Sequence, residues 1–260
     1  MPRPRFLPDR RPGPPDFIGV GAEGPGADWW HAALVAHPDI AEPRGGGRAL
    51  HFFDAFCTRE LQEADIAAYH GHFPRRGGRI RGEWTDRYMG DGWVAPLLHR
   101  AAPQAKLVVM LSDPIERYRT VYAERMAVKV EGRRLIMSDV VDRASHAFQL
   151  ARLGRYFDAD RMLVLQFERC RADPLEQYRR TLRFLGVRED VAPDALHAAP
   201  TPERTAPLWP EIEASLRAAL DPEVEALGAT VPDFDARLWP NFAQMSSSAT
   251  ASWPTSRNSV

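Results

Sequence analysis

Lys106-Leu-Val-Val-Met-Leu-Ser112 is the segment that most narrows what this chain can fold into. Its apolar residues are consecutive rather than alternating, so a strand here must be covered on both faces. Asp113-Pro114 follows at once, and then a helical stretch from about Ile115 to Val128, with Asp113 placed to cap it. A doubly covered strand running straight into a helix is the building unit of a parallel sheet. The pattern predicts an α/β fold, a central parallel sheet flanked by helices, with this strand lying centrally.

Other segments fit the same plan. Phe17-Ile-Gly-Val is a short apolar run that leads through the Gly-rich stretch Gly19 to Gly26 into Trp29-Trp-His-Ala-Ala-Leu-Val-Ala, a helical stretch stopped by His37-Pro38. Ala49-Leu-His-Phe-Phe reads as a second strand and Gly82-Glu-Trp-Thr as a third, after a Gly/Arg turn from Arg75 to Gly82. Arg161-Met-Leu-Val-Leu-Gln-Phe reads as the last strand. Pro174 to Leu185 has the apolar spacing of an amphipathic helix with a Gly186 stop, and the C-terminal third is expected to be mostly helical. With 260 residues, one large domain is expected over 17–243. A Pro/Arg-rich extended arm is expected over 1–16, and a disordered Ser/Thr-rich tail with Trp253 as its one anchor over 244–260.

Charge narrows the partners. Lys+Arg 34 against Asp+Glu 35 gives a net charge of −1, so no overall field recruits nucleic acid or an anionic membrane. No apolar run is long enough to span a bilayer, and Met1-Pro-Arg-Pro-Arg-Phe lacks the apolar stretch of a secretory signal, so a cytoplasmic protein is expected. Cys57 and Cys170 match no metal or redox spacing; no metal is expected, and both are read as small core residues.

A strand that feeds a glycine-rich loop opening a helix is a general anion cradle, because free backbone N–H groups and the helix dipole converge there. Gly19-Val-Gly-Ala-Glu-Gly-Pro-Gly-Ala-Asp fits neither the Gly-Lys-Ser/Thr of a Walker loop nor a strict GxGxxG dinucleotide loop. Kinase and dehydrogenase readings therefore fail at the loop.

Taken together, the segments resemble the sulfotransferases that use the nucleotide sulfate donor PAPS, whose fold is P-loop-like. Phe17-Ile-Gly-Val-Gly with Trp29-Trp30 and His37-Pro38 resembles the family's strand, donor loop and helix, and Leu50-His-Phe-Phe-Asp54 its Lys-Glu-Leu-His-Phe-Phe segment. Gly82-Glu-Trp-Thr-Asp-Arg-Tyr is similar to its Gly-Glu-x-Thr-Pro-x-Tyr box. Leu107 to Tyr122 is similar to the strand and helix that carry Arg-Asp-Pro-x-Glu-Arg-x-x-Ser, which implies a 3′-phosphate site. Leu163-Val-Leu-Gln-Phe-Glu-Arg, Ala172-Asp-Pro, Phe184-Leu-Gly and Leu238-Trp-Pro-Asn-Phe continue the resemblance, which covers about residues 17 to 242.

The departures fall on the positions that carry the chemistry. The family's loop Lys, which supports charge on the departing phosphosulfate, is Gly24 here, its Thr hydroxyls are gone, and Glu23 and Asp28 have entered. The Glu that the family often places just before Leu-His-Phe-Phe as general base is Ala49, preceded by Arg48, and the leading Arg of the 3′-phosphate motif is Ser112. Thr120 matches the family's Ser. Two unit charges about 4 Å apart interact by roughly 4 kcal/mol at an effective dielectric of 20, so exchanging an attracting Lys for a carboxylate weighs heavily on donor binding. Pro25 also removes one backbone donor.

The resemblance therefore implies a donor cradle around Gly24, Gly26, Ser112 and Thr120, and a substrate wall around Trp29, Trp84 and Arg87. Glu83 and His51 are the acid/base candidates, with Asp28 third. Each has a plainer reading. Glu83 would pair with Arg87, His51 would be a half-buried histidine held by backbone, Asp28 would cap the helix that starts at Trp29, and the tryptophans would be core. Lys129 and Glu131-Gly-Arg-Arg134 read as a basic rim or a solvated charge run. The expected function is a diverged member without normal PAPS chemistry that binds or transforms a small, hydrophobic or aromatic metabolite, plausibly in secondary metabolism, with no cofactor. The alternatives are a working PAPS-dependent sulfotransferase in which Arg48 or Arg87 replaces the loop Lys, and a non-catalytic partner of a relative or a homo-oligomer that binds through the arm and Trp253.

Overall fold

A computed structural model describes residues 12–46, 49–75, 77–127, 141–200 and 207–245. Strands β1 (Phe17–Gly21), β2 (Ile40–Ala41), β3 (Ile80–Trp84), β4 (Lys106–Leu111) and β5 (Met162–Gln166) form one sheet in the order β2-β3-β1-β4-β5. Every pairing between these strands is parallel. Between and after them lie α1 (Ala27–Val35), α2 (Glu63–Gly71), α3 (Val94–Ala101), α4 (Pro114–Ala127), α5 (His146–Leu153), α6 (Phe167–Ala172), α7 (Pro174–Leu185) and α8 (Pro210–Thr230). None of the described helices is long and apolar enough to cross a membrane.

Strand geometry explains why consecutive apolar residues were needed. Successive side chains leave a strand on opposite faces. Ile18, Val20, Leu107, Val109 and Leu111 enter a core that includes Tyr69, Leu98, Leu150 and Leu220, from α2, α3, α5 and α8. Phe17, Val108, Met110, Leu163 and Leu165 enter a second core with Trp30, Leu34, Phe167, Tyr178 and Leu182, from α1, α6 and α7. Leu107 to Leu111 are all buried, as the doubly covered strand requires, and β4 lies between β1 and β5, one place from the centre that β1 occupies.

Local chemistry sets the helix ends. Asp113 Oδ1 accepts from the backbone N–H of Ile115 at 2.9 Å and of Glu116 at 3.3 Å, the cap expected before α4. α7 opens with Asp173 accepting from Glu176 N and Pro174 in its first turn, and ends at Gly186 with φ 81°. α1 departs from expectation. Its N-cap is Gly26 with φ 99°, no side chain caps it, and Asp28 lies exposed in its first turn. Asp28 is therefore not the cap, because the helix begins earlier than Trp29.

The second strand also differs. The edge strand is β2 at Ile40–Ala41, and Leu50 to Phe53 form no strand. His51 takes φ 50°, and the backbone N–H groups of Leu50, His51 and Phe52 donate to the side chains of Glu83, Thr85 and Tyr88 rather than to a neighbouring strand. Cys170 is buried as expected, whereas Cys57 is exposed at the end of a 3-10 turn. The expectations for residues 1–11, Arg48, Lys129, Glu131 to Arg134 and Trp253 lie outside the described residues.

Because the chain moves from β1 toward β2 on one side and from β3 toward β4 on the other, the strand order reverses at β1. Open parallel sheets present a crevice at that place, beyond the carboxyl ends of the strands. The loop 22–26 after β1, the turn 85–93 after β3 and the turn 112–113 after β4 meet there.

Candidate functional site

Glu23, in the loop after β1, is the centre of the crevice. Its carboxylate lies 2.8 Å from Arg117 Nη2, 3.6 Å from Arg143 Nη1 and 3.7 Å from Arg87 Nε. Arg117 Nε also donates to the Glu23 carbonyl. Arg117 projects from α4 and is 4% exposed, so its charge lies in a poorly solvated place where a carboxylate partner counts for more than at the surface. Asp91 carries the cluster onward, 3.2 Å from Arg143 and 3.8 Å from Arg87. Burial raises the Asp91 carboxyl from its usual range, Arg143 and Arg87 pull it back, and the negative charge of Asp54 raises it again.

Asp54 brings the His51 pair to the same region. His51 Nδ1 lies 3.1 Å from Asp54 Oδ2, and the imidazole is about half exposed. An Nδ1–H donated to the carboxylate leaves Nε2 as the outward acceptor. The unusual backbone of His51 is held by Thr85 Oγ1, which accepts from His51 N at 3.3 Å and donates to Glu83 Oε2 at 2.7 Å.

Glu83 lies beneath this segment, not in the open crevice. It is 0% exposed, and its Oε1 accepts from the Tyr69 hydroxyl at 2.8 Å while Oε2 also accepts from Leu50 N at 3.2 Å. Burial raises its carboxyl, and the hydrogen bonds from Thr85, Tyr69 and Leu50 act against that rise. The pairing of Glu83 with Arg87 is absent from the described contacts, since Arg87 turns to Glu23 and Asp91. Glu83 thus supports the residues that hold His51 and has no exposed oxygen in this arrangement.

The glycines of the loop have different tasks. A Cβ on Gly26 would stand 2.5 Å from Phe167 and 2.6 Å from Met110 in a left-handed backbone, so this position packs the loop down onto α6 and β4. A Cβ on Gly24 would stand 2.9 Å from Ser112 Oγ, which places the buried Ser112 under the exposed loop. Thr120 donates its hydroxyl to the Glu116 carbonyl at 3.2 Å, within α4.

Trp29 and Trp84 are corrections to the expected substrate wall. Both lie in the core beneath α1 and α7, at 6% and 0% exposure. Trp29 donates to the Ala195 carbonyl at 3.0 Å and meets Trp30 edge to face. Trp84 lies over β1 at Gly19, where any Cβ would fall within 2.1 Å of its ring. Core packing takes these rings because both strands and α1 need large apolar partners on that face. Arg87 alone of the three faces the crevice.

Sequence reasoning missed the arginine cluster, since positions 87, 117 and 143 come together only through the fold. It also missed a brace behind the β4 to α4 turn. Asn241 donates from its backbone N–H and its Nδ2 to Asp113 Oδ2, both at 2.9 Å, and from Nδ2 to Glu116 Oε1 at 2.8 Å. Glu168 accepts from Asp113 N at 3.1 Å and from Trp239 Nε1 at 2.9 Å, and burial pushes its carboxyl up to about 7. Among the described residues, no group of three or more His, Cys, Asp or Glu side chains is arranged to hold a metal ion.

Comparison with known proteins matches these elements to one family. The model of the sulfotransferase family covers residues 51–191. Heparan sulfate glucosamine 3-O-sulfotransferase 6 of Mus musculus is 30% identical over 192 residues, 68% of this chain and 54% of that protein, and the Homo sapiens protein of the same name is 29% identical over the same length. The chain spans about half the length of these curated relatives. The structure of a sulfotransferase from Alicyclobacillus acidocaldarius shares the fold at TM-score 0.65 and 24% identity, over 83% of this chain and 94% of that one. The P-loop-like parallel sheet, its crevice at the strand reversal and the match across residues 51–191 have one source: the chain belongs to the sulfotransferase family.

Proposed function

We propose that this chain is a diverged sulfotransferase-fold protein that has lost ordinary transfer from PAPS and binds or transforms a small molecule in the crevice without that donor. The observation that carries the reading is Glu23, whose carboxylate lies among Arg117, Arg143 and Arg87, within 2.8 to 3.7 Å of their nitrogens. A donor phosphate would have to displace an anion that the chain itself supplies. The residues present do not fit the donor as they stand: no lysine lies in the loop, Ala49 replaces the expected base, and the basic cluster already holds two carboxylates, Glu23 and Asp91. Trp29 and Trp84 lend no support to an aromatic preference, because both are buried in the core.

The His51 pair is exposed. A bound hydroxyl or other weak acid would give its proton to His51 Nε2, and Asp54 would hold the resulting imidazolium through Nδ1–H. Arg87, whose guanidinium is partly exposed, would receive the negative charge left on the substrate.

Calorimetric titration with adenosine 3′,5′-bisphosphate tests the reading. No saturable heat is expected for the native chain. Saturable binding near micromolar, about −8 kcal/mol, would overturn it. One observation favours a second reading, a working PAPS-dependent sulfotransferase: three guanidinium groups gather at the loop that lacks its lysine. Under it, incubation with PAPS and an acceptor hydroxyl of the kind named for the 3-O-sulfotransferase relatives would give a sulfated product.

A further inference from the structure

A second basic site lies at the β2 edge of the sheet, away from the crevice. A cavity of 360 Å³ is lined by Ala41, Glu42, Arg44, Pro74, Arg79 and Arg81. Its position follows from the register of the edge strands, with Ile40 opposite Ile80 and Ala41 opposite Arg81. The lining carries three guanidinium groups and one carboxylate. The volume corresponds to roughly a dozen liquid waters, more than a lone oxyanion fills, and falls in the range of small-molecule sites.

The surroundings hold these arginines in place. Arg81 is 3% exposed, donates from Nη1 to the Arg79 carbonyl at 2.8 Å, and has its backbone N–H on Asp16 Oδ2 at 2.8 Å. Arg44 is tied at its backbone, with its N–H on the His72 carbonyl and its own carbonyl facing His72 Nδ1. Pro74 is fixed by its bridge to Pro12. Among the described contacts, neither the Arg44 nor the Arg79 side chain has a hydrogen bond or ion pair, although Glu42 stands in the same lining. By contrast, neighbouring Arg75 is bound to Asp16 at 2.8 Å. Arg44 and Arg79, guanidinium groups at the cavity with no carboxylate partner among the described contacts, are arranged for an anion from outside, and their planar forks suit the oxygens of a phosphate.

We propose that this cavity binds a small molecule bearing a phosphate monoester, with the dianion between Arg44 and Arg79 and its carbon portion against Ala41 and Pro74. The site does not depend on the function of the crevice. Calorimetry with glycerol 3-phosphate tests it in the native chain, in the double variant Arg44→Ala/Arg79→Ala and in Arg87→Ala. Saturable binding of one equivalent is expected, weakened at least tenfold in the double variant and unchanged in Arg87→Ala. Methyl sulfate, a monoanion, is expected to bind at least several-fold more weakly. No saturable heat, equal affinity in the double variant, loss in Arg87→Ala, or equal affinity for methyl sulfate would each overturn the proposal. Circular dichroism of the double variant should match that of the native chain, since both side chains are exposed.

Discussion

The crevice and the edge cavity each gather three arginines, yet they differ in what answers the charge. At the crevice, Glu23 and Asp91 lie within ion-pair distance of Arg87 and Arg143, and Glu23 of Arg117 as well. At the edge, Glu42 stands beside Arg44, Arg79 and Arg81 without an ion pair to Arg44 or Arg79 among the described contacts. The difference teaches that a basic cluster by itself does not predict an anion site. Where the chain supplies its own carboxylates, the arginines already have partners, and an outside anion must compete with them.

The strongest way to break this comparison is to remove the support of the crevice. Glu83→Ala deprives Tyr69, Thr85 and Leu50 of a shared acceptor and leaves a hole under residues 50–52, at a cost of about 4 kcal/mol. The melting temperature should fall accordingly, while the edge cavity keeps its affinity for glycerol 3-phosphate in any fraction that stays folded. An unchanged melting temperature would show that the network is not structural.

Glu23→Gln sharpens the contrast from the other side. Removing this charge from beside a 4% exposed Arg117 should cost about 1 to 3 kcal/mol of stability. It should also raise crevice affinity for inorganic pyrophosphate by tenfold or more, read by calorimetry. Equal affinity in native and variant chains would mean that Glu23 does not compete with anions.

Glu168 gives the brace behind the crevice a pH dependence. Its folded pKa, raised to about 7 from the ordinary 4.5, favours the protonated form, so its contribution to stability is fully present below about 4.5 and is lost as pH rises through about 7. Thermal melts between pH 4.5 and 8 should show a decline of up to roughly 3 kcal/mol from this group, and Glu168→Gln should flatten it. A decline that persists undiminished in the variant would assign it elsewhere. The smallest effect belongs to Arg79→Ala: with no ion pair to lose among the described contacts, its melting temperature should stay within error of native, as differential scanning fluorimetry would record.

The backbone plan was legible where local chemistry decides it. The apolar run Leu107 to Leu111, the Asp113 cap and the Gly186 stop each act within a few residues of themselves. The segment Ala49 to Phe53 misled because its apolar content suits a strand, whereas its N–H groups are claimed by side chains 33 to 36 positions away. Trp29 and Trp84 misled because proximity to the site in sequence says nothing of which face of the sheet a ring enters. The arginine cluster was illegible for the opposite reason: its members are far apart in the chain and share no spacing, so only the sheet order brings them together.

The Asn241 brace carries a consequence for how the protein comes into being. Asp113 Oδ2 takes both of its hydrogen bonds from Asn241, and Glu168, which holds Asp113 N, is itself held by Trp239. A nascent chain that has emerged only as far as α8 already contains every described strand, but the turn that presents Ser112 and leads into α4 still lacks its latch. The crevice therefore receives this latch only after all the described strands have been made, from a segment that contributes nothing to the described sheet.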